Sequence, residues 1–146
     1  MLRLTQALRG YDVTLVAADT DTTSQAKFEA SSALRGPWIR IPRAREVHQP
    51  WASTVLTAWG ALVASVRVVA TTRPDLVLAN GPGTCVPICL VARFAGARLI
   101  FCESWCRVRD LSVTGKILYP ISSRFIVHWP SLLRKYPKAE YLGRIC

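Results

Sequence analysis

The stretch Asn80-Gly81-Pro82-Gly83-Thr84 follows the apolar run Leu76-Val77-Leu78 and precedes a second apolar run that starts at Cys85. Gly81 and Gly83 allow backbone angles that a Cβ disfavours, Pro82 stiffens the turn between them, and Thr84 is a suitable N-cap for a helix beginning near Cys85. A strand, a tight turn and a helix in that order aim helix amides out of the sheet edge, where anions and above all phosphates are attracted. The spacing matches neither GxGxxG nor the P-loop, so a plain strand-to-helix turn is the competing account. Glu103 is the second candidate. It directly follows Arg98-Leu99-Ile100-Phe101-Cys102, which reads as a strand, and Ser104 comes next. Ligands of open α/β sheets lie at the carboxyl ends of strands. The same carboxylate could instead cap the next segment or pair with Arg107. Other acids have simpler explanations: Asp75 precedes a strand, Asp19 ends one, and Glu46 lies among basic residues.

The elements that must position these groups are legible as alternating patterns. Strands are expected over 11–19, 74–80, 97–103 and 124–129, with a short one over 139–143. Helices are expected over 51–72 and 84–95, the second ending near Gly96, and a helix or turn-helix over 111–122. The first ten residues read as the tail of an amphipathic helix, 20–32 as loop, and 38–50 as extended chain. Strands alternating with helices argue a parallel sheet with right-handed crossovers. Neither a linker nor a repeat divides the chain, so one domain spans 1–146.

Composition bounds the partners. The 146 residues are 51% hydrophobic and 19% charged, enough for one folded core. The formal net charge of +10, mostly arginine, suggests an anionic partner: nucleic acid, a phospholipid surface or a phosphorylated ligand. The basic residues are scattered, with a denser patch only at Arg40, Arg43 and Arg45. No stacking aromatic motif accompanies them, so no nucleic acid is expected. Cysteines at 85, 89, 102, 106 and 146 do not follow a zinc pattern. Buried, reduced thiols are the expectation, and neither a metal nor a cofactor is assigned. Residues 51–70 are nearly all apolar or small but carry Arg67. Three readings are open: a marginal transmembrane helix, a helix lying on a membrane with Trp51 and Trp59 at the interface, or a helix packed in the domain, the last two being favoured.

Six segments, in order, carry a resemblance: IPRAREVHQPW, PDLVLANGPGTCVPI, ESWCRV, LSVTGKILY, FIVHWPSL and YPKAEYLGRI. Together they resemble the family of the membrane-anchoring subunit of the eukaryotic UDP-N-acetylglucosamine transferase of asparagine-linked glycosylation, over residues 12–146. The resemblance implies a Rossmann-like parallel α/β sheet, the N-terminal half of a GT-B glycosyltransferase. The other half would be a separate catalytic subunit that binds UDP-N-acetylglucosamine. The implied reaction is inverting transfer of the second N-acetylglucosamine to dolichyl-pyrophosphate-N-acetylglucosamine at the cytosolic face of the endoplasmic reticulum membrane. Family members open with a transmembrane helix, a first strand and a glycine-rich loop. A form truncated at its N-terminus is therefore expected here, with exposed sheet edges.

The resemblance also implies roles. Glu103 becomes an acceptor-sugar ligand or helper base, since an acceptor hydroxyl must lose a proton as it attacks. Asn80, Gly81, Gly83, Thr84 and Ser104 become a wall of the acceptor cleft near the lipid pyrophosphate. Arg43 and Arg45 would meet lipid phosphates, with Lys116 and Arg107 as further cations of that kind. Leu142 and Ile145, near the C-terminus, would dock the catalytic subunit. His48 and His128 read as structural. The alternatives from other classes are a standalone phosphate- or nucleotide-binding α/β module, and a membrane-surface adaptor without a catalytic role.

Overall fold

The computed structural model describes residue 8, residues 10–19, residue 21, and residues 36–42, 51–81 and 83–143; for 51–58 it describes the backbone only. Strands β1 (Leu15–Ala18) and β2 (Trp38–Ile41) pair in parallel, Leu15 opposite Trp38. Helix α1 (Trp51–Thr72) leads to β3 (Leu76–Ala79), and α2 (Val86–Phe94) to β4 (Arg98–Cys102). Helix α3 (Val113–Leu118) leads to β5 (Arg124–Val127), and a 3-10 turn (Pro130–Arg134) to β6 (Ala139–Tyr141). The last four strands form one parallel sheet in sequential order, β3-β4-β5-β6. Among the described residues the strands make two sheets, the β1–β2 pair standing apart from the four-stranded one, where one parallel sheet was the simplest expectation.

The elements end for local reasons. Ala95 closes α2, and Gly96 follows at φ 98°, a left-handed position that favours glycine, with Ala97 N–H donating to the Ala92 carbonyl at 2.9 Å. Helix α1 stops at Arg73, whose φ of 42° is left-handed without a glycine, and Pro74 follows. Five of the strands are shorter than the spans expected from sequence: 15–18, 76–79, 98–102, 124–127 and 139–141.

The core is set by the period of two along the strands. Ala79, Leu99, Phe101, Phe125, Val127 and Ala139 are buried and share one cluster with Val69 of α1, Ile88, Cys89 and Ala92 of α2, and Leu118 of α3. Phe125 links two aromatic contacts there, with ring centroids 5.2 Å from Phe101 and 5.2 Å from Tyr119. Such pairs contribute about 0.5–1.5 kcal/mol beyond their area. This packing fixes the direction in which all four strands present their carboxyl ends.

Candidate functional site

Three segments meet at that end of the sheet: the turn after β3, the residues after β4, and the N-terminus of α3. Glu103 follows β4 directly and is 2% exposed. Its amide donates to the Ile126 carbonyl at 2.9 Å, so pairing with β5 continues up to it. Its Oε1 accepts the Ser104 N–H at 2.7 Å. Its Oε2 accepts the Ser112 N–H at 2.9 Å and the Ser112 hydroxyl at 3.0 Å. Ser112 is the N-cap of α3, its Oγ accepting the Gly115 N–H at 2.9 Å. Gly115 is required by this arrangement, since a Cβ there would overlap Glu103 Oε2. The carboxylate therefore ties the end of β4 to the start of α3, with both of its oxygens engaged inside the chain.

The turn lies beside this knot. A Cβ built on Gly83 would find the Thr114 hydroxyl at 3.8 Å and nothing nearer, and one on Gly81 would find nothing within 4 Å. The glycines of this turn differ from expectation. Neither adopts a positive φ. Thr84 does not cap α2 either: Gly83–Cys85 form a 3-10 turn, Cys85 occupies the N-cap, and no side chain caps the helix. The tighter 3-10 winding carries the chain into α2 and displaces Thr84 from the cap position. Neither backbone angle nor internal packing explains the two glycines. What their missing side chains provide is open space beside backbone at the carboxyl end of β3.

The loop from Ser104 to Leu111 leads from Glu103 to α3 and is held at several points. Trp129 Nε1 donates to the Trp105 carbonyl at 2.8 Å, Ser131 Oγ to the Val108 carbonyl at 3.3 Å, and Arg107 N–H to the Ser104 carbonyl at 3.0 Å. Asp110 anchors the far end. It pairs with Lys116 at 2.7 Å and Lys135 at 3.0 Å and accepts from the Tyr136 hydroxyl. The hydrogen bonds from Lys116, Tyr136 and Lys135, in that order of effect, hold its carboxyl well below the usual carboxylate range. Lys116, expected as a cation for phosphate, is thus spent on Asp110. Arg107, which could have paired with Glu103, does not.

The remaining candidates separate. Asn80, Gly81, Gly83 and Thr84 come together with Glu103 and Ser104 at one end of the sheet. Leu142 is exposed just beyond β6, while Arg43, Arg45 and Ile145 lie outside the described residues, as does His48. Trp59 is 67% exposed on α1 and shares one helix face with exposed Val63 and Val66, while Ala61, Ser65 and Val69 are buried on the opposite face. Among the described residues, no helix is long and apolar enough to cross a membrane. Cys89 and Cys102 are buried thiols as expected, Cys85 is half-buried, and Cys106 is exposed. A hydrogen bond from Cys89 lowers the Cys85 thiol, and the same bond together with burial pushes Cys89 up.

The structure adds surroundings for His128, read above as structural, and shows one spacing that escaped the sequence reading. His128, 2% exposed after β5, places Nδ1 3.4 Å from the Gly143 carbonyl, and its Nε2 has no partner among the described residues. Asp19 and Asp21 form an Asp-x-Asp spacing after β1. There their amides close the strand end, on the carbonyls of Ile41 and Ala18, and among the described residues no three His, Cys, Asp or Glu side chains gather as metal ligands. A groove of about 1320 Å³ lies at the opposite end of the sheet, by Pro74, Leu76 and Arg98. It is remote from Glu103 and from the end where ligands of this fold class bind.

A family model described as "Oligosaccharide biosynthesis protein Alg14 like" matches residues 1–145. The chain belongs to the Alg14-like family. The human UDP-N-acetylglucosamine transferase subunit ALG14 is 48% identical over 147 residues, 89% of this chain and 68% of the human one. The Schizosaccharomyces pombe protein of the same name is 42% identical over 158 residues, 98% of this chain and 75% of its own. The rat protein is 52% identical over 112 residues but only 52% of its own length is matched. This Alg14-like chain thus spans from about half to three quarters of these curated relatives. In structure it resembles Acinetobacter baumannii MurG at a TM-score of 0.70 and 18% identity, over 97% of this chain and 39% of MurG. That likeness shows the fold, the Rossmann-like parallel α/β architecture of a GT-B glycosyltransferase, as the sequence led one to expect.

Proposed function

We propose that this chain is the acceptor-side subunit of a heteromeric inverting UDP-N-acetylglucosamine transferase. The reaction is addition of the second N-acetylglucosamine to dolichyl-pyrophosphate-N-acetylglucosamine. A separate catalytic subunit supplies the sugar nucleotide, and this chain recruits it to the cytosolic face of the endoplasmic reticulum membrane. Family membership and the names of the relatives support the reaction class. The observation that carries the acceptor assignment is the meeting of the open Gly81–Gly83 turn with the Glu103–Ser112 knot at the carboxyl end of the sheet.

In this reading the turn forms one wall of the acceptor cleft, with backbone that a sugar or phosphate can approach closely. Glu103 acts chiefly as a positioning residue. Its engaged carboxylate keeps Ser104 and the N-terminus of α3 in place on the other wall, and any direct contact of Glu103 with the acceptor sugar would require one of these bonds to exchange. Positioning of this kind lowers the barrier by holding reactants in line. The exposed Trp59, Val63 and Val66 face of α1, next to Arg67, suits the surface of an anionic membrane. Leu142 suits the docking of the partner subunit.

The test is complementation. The chain is co-expressed with its cognate catalytic subunit and supplied with UDP-N-acetylglucosamine and dolichyl-pyrophosphate-N-acetylglucosamine. Transfer by the pair, with none from either chain alone, is expected. Binding of the partner without transfer refutes the acceptor role and leaves recruitment. Binding of a phosphate ligand by the chain alone, with no partner effect, favours a standalone module.

A further inference from the structure

The loop between β4 and α3 carries two arginines that the site as described does not use. Arg107 and Arg109 are exposed, and among the described residues neither has a carboxylate within ion-pair distance. Their neighbours differ: Lys116 and Lys135 both belong to Asp110. The loop backbone around the two arginines is fixed at Trp105, Val108 and Asp110 by the bonds described above. A small concavity of about 340 Å³ opens between Cys106 and Asp110. Arg107 and Arg109, two residues apart in sequence on a braced loop, supply two guanidinium groups of the planar kind that binds phosphate oxygens.

The same unit also exposes apolar side chains. Val108 lies between the arginines and is exposed. Val113, 76% exposed, and Ile117 stand four residues apart on the outer face of α3. The connection from β4 through α3 therefore exposes valine and isoleucine as well as arginines without a carboxylate partner among the described residues, apolar and anion-binding chemistry on one stretch of chain. A purely solvated basic loop has no use for the apolar half. A protein docking face has no use for two unneutralised cations on the loop that leaves the carboxyl end of β4.

We infer that Arg107 and Arg109 bind the pyrophosphate of an isoprenoid-linked ligand, whose first apolar units lie on Val108, Val113 and Ile117. The inference deepens the acceptor reading above and rests on it. The sugar sits in the cleft between the Gly81–Gly83 turn and Ser104, and the pyrophosphate leaves the cleft along the loop. This surface, not the turn, then carries the anion.

The test is equilibrium binding to the purified full chain with three probes: farnesyl pyrophosphate, inorganic pyrophosphate, and phosphatidylcholine vesicles containing phosphatidylserine. Wild type is expected to bind farnesyl pyrophosphate about tenfold or more tightly than inorganic pyrophosphate, from apolar burial. Arg107→Glu/Arg109→Glu should weaken farnesyl pyrophosphate about a hundredfold, roughly tenfold for each charge-assisted contact. Arg107→Lys/Arg109→Lys should lose only part of that. Val113→Ser/Ile117→Ser should weaken farnesyl pyrophosphate and leave inorganic pyrophosphate unchanged. All these side chains are exposed, and a matching thermal midpoint confirms that the variants fold. Equal affinity of wild type and the charge-reversed variant overturns the site. So does inorganic pyrophosphate binding as tightly as farnesyl pyrophosphate, or vesicles displacing farnesyl pyrophosphate in proportion to their charge alone. The transferase assay fails separately: no transfer with farnesyl pyrophosphate binding intact overturns the function and keeps the site. Transfer with an acceptor KM indifferent to Arg107→Glu/Arg109→Glu does the reverse.

Discussion

Removing the Glu103 carboxylate tests whether the residue holds the site together or reacts in it. Glu103→Ala strips acceptors from the Ser104 amide, the Ser112 amide and the Ser112 hydroxyl. A hydrogen bond to a charged group contributes about 1.5–3 kcal/mol, and an orphaned buried donor costs a similar amount. Two of the three donors share one oxygen, and exposed Ser104 can recover water, so the contributions do not add in full. The expected loss is about 3–4 kcal/mol, a fall in Tm of roughly 10 °C for a chain of this size. Glu103→Gln keeps one oxygen and should cost about 1–2 kcal/mol. Gly115→Ala is the telling control. Helix propensity alone would make it stabilising by about 1 kcal/mol. The overlap of its methyl with Glu103 Oε2 makes it destabilising instead, by about 1–3 kcal/mol. Thermal and urea denaturation of the three variants read the stability, and the reconstituted transferase reads the acceptor KM and kcat. Losses of activity that follow stability across all three, Gly115→Ala included, are the expected result. An unchanged Tm in Glu103→Ala would refute the scaffold argument. A drop of about 10²–10⁴ in kcat for Glu103→Gln alone, with stability intact, would make Glu103 the base itself.

Other outcomes follow from single features. Arg73→Gly should raise stability by about 0.5–1 kcal/mol, because φ of 42° penalises a Cβ by more than glycine's added chain entropy costs; a lowered urea midpoint would contradict it. The Asp110 carboxyl sits below its ordinary value near 3.8, so the unfolded chain takes up the proton first as pH falls. Its contribution is intact above about pH 5 and falls progressively as pH drops below about 4 toward the depressed folded value, and wild type should lose stability over that acid descent more steeply than Asp110→Asn. Parallel pH profiles would dismiss the Lys116–Asp110–Lys135 cluster as a contributor. In the native chain, maleimide should label Cys106 ahead of Cys89 and Cys102, which stay protected until denaturation, read by mass spectrometry of timed digests. Equal labelling rates would contradict the packing of β4 and α2. Phe125→Ala should cost about 3–5 kcal/mol, since it empties the centre of the aromatic chain between Phe101 and Tyr119; a loss under 1 kcal/mol would show that the core refills.

Local patterns carried most of the architecture. The apolar runs of β4 and β5, the long apolar run from Trp51 to Thr72, and the stop at Gly96 are each written within a few adjacent residues. Those signals depend on neighbours in sequence, so helix, strand and the parallel α/β class could be read before any coordinates. The nomination of Glu103 belongs to the same kind of knowledge, because the carboxyl end of a strand is a place in the sequence as much as in space. What Glu103 does there is not local. Its partner Ser112 lies nine residues away, and Gly115, which looks like a mid-helix weakness, exists to make room for it. The glycine turn shows the converse. Its composition suggested left-handed angles and a threonine cap, yet the fold wound Gly83–Cys85 into a 3-10 turn and put Cys85 at the cap. Lys116 and Arg107 were equivalent cations on paper; Asp110 neutralised one and left the other facing solvent. Sequence determined which residues form each element, since backbone preference and hydrophobic period act over a few residues. Tertiary structure alone decided which charges are paired, which polar atoms are satisfied and which glycines have a neighbour, because those depend on contacts that only close when distant segments pack together.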